Sequence, residues 1–140
     1  MVPRRKPLRE PLGLPTEDAA IWDEARTCLG VGASAAAVML CRKLLSHIAV
    51  SNGLPAKDKN DRAPTFMAAV DHLEAEGIFT KRMRPWVDRI KDVGNEANHE
   101  LQPVAAADAL DVATFTEQLL VLAYELDALQ AAPERAVESQ

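Results

Sequence analysis

Six apolar side chains, Val112, Phe115, Leu119, Leu122, Leu126 and Leu129, recur at steps of three and four near the end of the chain. Such steps return to one side of a helix with 3.6 residues per turn. The pattern predicts a long helix of about 25 residues, or roughly 37 Å, whose apolar seam other elements must cover. Asp108, Asp111, Thr114, Gln118 and Glu125 are expected to face away from that seam. No stretch of the chain alternates with period two for long enough to suggest a strand. The expected fold is therefore all-α.

Four further helices are expected upstream. Thr16 is a suitable N-cap for a helix over about residues 17–29, with Glu17 and Asp18 complementing its dipole and Ile21, Ala25 and Cys28 lining one face. A second helix, about residues 33–51, puts Val38, Cys41, Leu45 and Ile48 on its stripe, and Ser51-Asn52-Gly53 before Pro55 stops it. Lys57 to Arg62 is a polar, solvated loop. Pro64 can open a third helix with Phe66, Val70 and Leu73 buried, ending at Gly77-Ile78. A fourth carries Trp86, Ile90 and Val93, with Pro85 in its first turn. Five amphipathic helices and mostly short loops describe a compact bundle over residues 16–131.

The flanks differ. Residues 1–15 hold Pro3, Pro7, Pro11 and Pro15 between Arg4, Arg5, Lys6 and Arg9. Proline removes backbone donors and fixes φ, so this segment reads as an extended, mobile, basic arm, and residues 132–140 as a polar frayed tail. The net charge of −5 excludes a chain that binds nucleic acid through its overall field. No apolar run reaches the roughly 20 residues of a membrane span, and no secretory leader is apparent. Two cysteines make no disulfide framework, so both are expected to be buried thiols and the setting a reducing cytoplasm. His47 and His72 show no sign of converging, and no metal-ligand pattern, phosphate loop or nucleophile elbow occurs, so neither metal nor cofactor is expected.

Chemistry concentrates in Trp86-Val-Asp-Arg-Ile-Lys-Asp-Val-Gly-Asn-Glu-Ala-Asn-His-Glu100. His99 is the type of side chain that exchanges protons near neutrality. Arg89 and Lys91 precede it, and the amides of Asn95 and Asn98 surround it, a set of groups that can hold a phosphate. The same residues also fit a structural role. Gly94 would end the helix, Asn95 would cap the next turn with Glu96 at its start, and His99 would pin that turn to a backbone carbonyl. Lys81, Arg82, Arg84, Arg89 and Lys91 form the one basic run of an otherwise acidic body. It is either a solvated face or a local RNA contact. Arg42 either joins it or pairs with an acid of the last helix.

Gly32-Ala-Ser-Ala-Ala-Ala-Val-Met-Leu-Cys-Arg-Lys-Leu-Leu45, the Trp86–Glu100 segment with its Gly-Asn-Glu-Ala-Asn-His core, and the Asp108-Ala-Leu start of the last helix resemble the bacterial domain of unknown function 4145 over about residues 17–130. That family is similar to the HEPN group (higher eukaryote and prokaryote nucleotide-binding domains). The resemblance implies a helical bundle that dimerises. It also implies either a metal-independent ribonuclease or a related RNA-binding or assembly module, often in phage defence or stress response. Ribonucleases of the group use an arginine, a polar residue and a histidine four to six residues beyond. His99 matches the histidine position. Lys91 stands at the arginine position with seven residues between, and Arg89 is further still.

The leading expectation is thus a non-catalytic or weakly catalytic module that binds RNA or a protein partner, as a cytoplasmic homodimer. One alternative is an endoribonuclease with His99 as acid or base and Lys91 or Arg89 on the phosphate. Another is a purely structural protein that docks through its last helix.

Overall fold

The computed structural model describes residues 6–99 and 104–131, with side chains for 6–93 and 104–131. Within them the chain forms five α-helices and no strand: α1 (Thr16–Gly30), α2 (Ser34–Ser51), α3 (Phe66–Ala75), α4 (Arg84–His99) and α5 (Ala106–Leu120). A 3₁₀ turn, Lys81–Met83, leads into α4. α5 passes through a π-helical segment, Val121–Glu125, and continues as helix over residues 126–131. The all-α bundle read from apolar spacing is the observed one.

α2 is the central element and packs against α1, α3, α4 and α5. Its 18 residues have a mean hydropathy of 1.2, long and apolar enough by length and composition to cross a membrane. In the fold its Val38, Cys41, Leu44, Leu45 and Ile48 are instead buried among Trp22, Leu73, Ile90, Val112 and Leu119. Removing each such side chain from water contributes about 1.5–3 kcal/mol. Burial pushes the Cys41 thiol up to about 12, so it stays protonated, whereas Cys28 is only half-buried.

Local starts and stops differ from expectation in small, explicable ways. Pro15, with no side-chain acceptor, precedes α1, and Thr16 is already helical. α3 begins after Pro64, where the Thr65 hydroxyl accepts from the Ala68 N–H at 3.1 Å. It ends as expected: Gly77 adopts φ +79° and the Ile78 N–H donates to the Leu73 carbonyl at 2.9 Å, a left-handed cap that glycine takes without strain.

Two differences matter more. Residues 6–15 are docked where a free arm is expected. Leu8 and Leu14 pack on the core, the Trp22 indole donates to the Arg9 carbonyl at 2.8 Å, and Arg26 donates to the carbonyls of Pro7 and Leu8, each at 3.0 Å. Prolines forbid regular structure but leave their carbonyls open to such donors. Residues 1–5 and 132–140 lie outside the described residues. Secondly, the π-helical turn takes up about one residue more than an α-turn and so rotates the last helix. Leu126 and Leu129 are 44 % and 47 % exposed, and Glu125, expected outside, is buried.

Candidate functional site

The basic run begins on the 3₁₀ turn. Thr80 is extended, and Pro85, in the first turn of α4, carries no N–H for the helix to satisfy. Val87, Ile90 and Val93 form the buried stripe of α4. Trp86 is not part of it. It is 44 % exposed, and its ring stacks on Phe115 of α5 with centroids 6.2 Å apart and planes 6° from parallel. Beside this pair lies a groove of about 420 Å³ between α4 and α5, lined by Met83, Trp86, Thr114, Phe115, Gln118 and Leu122.

The cations of the run divide into two groups. Arg84 is engaged by Glu74 at 2.6 Å and Asp71 at 3.3 Å, tying α4 to α3. Arg89 reaches Asp108 at 2.7 Å and Asp111 at 2.8 Å, tying α4 to α5. Lys81 and Arg82 are exposed, Lys91 is half-buried, and none of the three has an ion pair among the described residues. Part of the run therefore clamps the bundle, and the free positive charge is concentrated at the 3₁₀ turn.

α4 does not stop at Gly94; it continues as helix to His99. The expected turn, with Asn95 as its cap, is absent. At 1.5 Å rise per residue, Lys91 lies about 12 Å and Arg89 about 15 Å from His99 along the axis. At about 100° per residue they also fall on opposite sides of the His99 direction. A single helix does not bring these three positions to one point, and Arg89 already holds two carboxylates. The side chains of Asn95, Glu96, Asn98 and His99 lie outside the described residues.

Arg42 joins neither the basic run nor an acid on the last helix. Its guanidinium lies 4.6 Å above the centre of the Phe66 ring, at the start of α3. A second polar cluster, around His47, is not anticipated from the sequence. Asp18, fully buried in the first turn of α1, accepts from Nδ1 of His47 on α2, and His47 Nε2 lies 3.5 Å from Glu17. A carboxylate accepts, so the Nδ1 proton is directed at Asp18, and the Nε2 side of the ring faces Glu17. Tyr124, in the π-helical turn, is pushed up to about 12 by burial and then by neighbouring Asp18, against an opposing contribution from Ser51. The available signal was the spacing of Asp18 with Trp22 and Ala25, which sets an acid on the inner stripe of α1.

No group of three or more histidine, cysteine or acidic side chains converges to hold a metal ion among the described residues. Residues 23–136 match the profile of a family described as a domain of unknown function (DUF4145). No curated protein and no solved structure matches the chain.

Proposed function

This chain belongs to the domain of unknown function (DUF4145) family, and from that premise we propose that it is a non-catalytic module binding single-stranded RNA. Its HEPN-like character rests on the resemblance carried by the Gly-Asn-Glu-Ala-Asn-His core, and with it the reading as a cytoplasmic homodimer. The observation that carries the RNA reading is Trp86, half-exposed over a groove and a few residues beyond Lys81 and Arg82, which are exposed and have no ion pair among the described residues. An aromatic face accepts an unstacked base of any identity while adjacent cations hold the backbone. Against catalysis stand the engagement of Arg89 by Asp108 and Asp111 and the axial separation of Lys91 from His99.

Fluorescence tests this directly, because Trp22 is fully buried and Trp86 is the accessible indole. Titration with a single-stranded oligoribonucleotide should quench Trp86. The affinity should fall with salt at a slope of about −0.7 per phosphate contacted. Replacing Lys81 and Arg82 by Glu should flatten that slope, and Trp86→Ala should cost about 1–3 kcal/mol of binding. Absence of salt-dependent quenching would remove the RNA reading. RNA incubated with chelator should stay intact; cleavage that disappears in His99→Ala would establish the ribonuclease instead.

One observation favours a second reading, docking of a protein partner or a second copy. Leu110, Leu126 and Leu129 are all more than two-fifths exposed on the last helix. Sedimentation that reports a monomer, and a pull-down that recovers no partner, would dismiss it.

A further inference from the structure

Three of the described arginines are half-buried: Arg26, Arg42 and Arg84. Arg26 donates to two backbone carbonyls, and Arg84 to two carboxylates. Arg42 donates to nothing among the described residues, and its Nη1 is sealed from solvent with no acceptor. Stacking on Phe66 favours the charge but leaves the guanidinium donors unused, since these lie in the plane of the group and not on its face. Burial lowers the Arg42 pKa, the direction expected of a cation short of partners. A desolvated donor without an acceptor is costly, and a methionine would fill the same space without that cost.

A cavity of about 240 Å³ opens at this point, lined by Met39, Arg42, Lys43, Ser46 and Phe66. No carboxylate of the described residues lines it. Lys43 is exposed and has no ion pair among the described residues, and Ser46 contributes a hydroxyl. Phe66 sits on the first residue of α3, behind the Thr65 cap, so the platform under the guanidinium is fixed.

We propose that this cavity binds a phosphate group, with the Nε–Nη2 edge of Arg42 as bidentate donor, Lys43 as second cation and Ser46 as hydroxyl donor. Two cations suit a group carrying close to two charges better than a carboxylate carrying one. The planar fork of Arg42 matches two phosphate oxygens at once. The site is distinct from the Trp86 groove and goes beyond the RNA reading. Its phosphate belongs either to a small phosphorylated solute or to the terminus of a nucleic acid.

The test is an NMR titration of the whole chain with inorganic phosphate at constant ionic strength. Saturable shifts should centre on the Arg42 side chain, the residue 39–46 amides and the Phe66 ring. Arg42→Lys keeps the charge but loses the fork, and should weaken binding about tenfold or more. Exposed Lys43→Met should weaken it while leaving the fold intact. Competition by an oligoribonucleotide with a terminal phosphate, but not by one without, assigns the source to a nucleic-acid end. Competition by phenyl phosphate alone assigns it to a small solute. Non-saturating shifts in the wild type, shifts centred elsewhere, or undiminished binding by both Arg42→Lys and Lys43→Met overturn the proposal.

Discussion

Glu125, which apolar spacing places on the outward face, occupies an inner position, and it tolerates that position because its carboxylate is almost fully satisfied. Arg9 approaches with its two terminal nitrogens, Nη1 and Nη2, at 2.7 and 2.8 Å, and the Leu12 N–H adds a third donor at 2.9 Å. The Arg9 hydrogen bonds chiefly, with the Leu12 N–H and the Arg9 charge in support, take Glu125 from 4.5 down to about 2. The folded state thus binds its proton less readily than the unfolded state does. The stabilisation is complete above about pH 4.5 and is lost as pH falls toward 2. Thermal melts across that interval should show Tm dropping on acidification. Glu125→Gln should melt lower than the wild type near neutrality and show a smaller drop on acidification. If wild type and variant decline in parallel, other carboxylates carry the acid sensitivity.

At the scale of elements, the Pro-rich segment and the π-helical turn depend on each other. The turn brings Glu125 inward to receive Arg9 and Leu12, and the same segment passes Gly13 close over the following helix. Gly13 adopts φ +79°, and a Cβ there would come within 2.9 Å of Ala128 Cβ and 3.3 Å of the Tyr124 carbonyl oxygen. Gly13→Ala should therefore cost about 1–2 kcal/mol for its left-handed backbone and more for the clash, lowering Tm by roughly 3–8 °C. Gly32 has a similar φ but open space around it, so Gly32→Ala isolates the backbone cost. Equal losses at the two positions would mean that the segment is not pressed against the helix. None of this docking was legible in the sequence. Its contacts run from side chains of α1 and the π-helical turn to backbone atoms more than a dozen residues away in sequence, and proline-rich composition reports only what a segment cannot form. The π-helical turn is hidden for a related reason. Six apolar residues at steps of three and four describe an unbroken seam equally well, and the slip shows only in the burial of Glu125 and the exposure of Leu126 and Leu129.

For the molecule as a whole, the class of fold was legible because it depends on summed apolar periodicity, which survives errors of a residue or two at each helix end. The candidate site was legible in location but less so in chemistry. The run from Lys81 to Lys91 is visible as charge, yet which members are spent on clamps depends on Asp71, Glu74, Asp108 and Asp111 arriving from other helices. Those clamps and the central position of α2 make a prediction about cooperativity. α2 touches every other helix, so no part of the bundle keeps its core once α2 is disturbed. Ile48 is fully buried in it. Ile48→Ala should cost about 2–5 kcal/mol and Ile48→Val about 0.5–1.5 kcal/mol, against a total of about 5–15 kcal/mol for a domain of this kind. In both variants, helix content by circular dichroism and the emission of buried Trp22 should be lost in one coincident transition. Trp86 reports instead from the α4–α5 contact. If its signal in a Trp22→Phe background persists after the helix signal from the remainder has gone, α4 and α5 form a separately stable unit, and α2 is not the element on which the whole bundle depends.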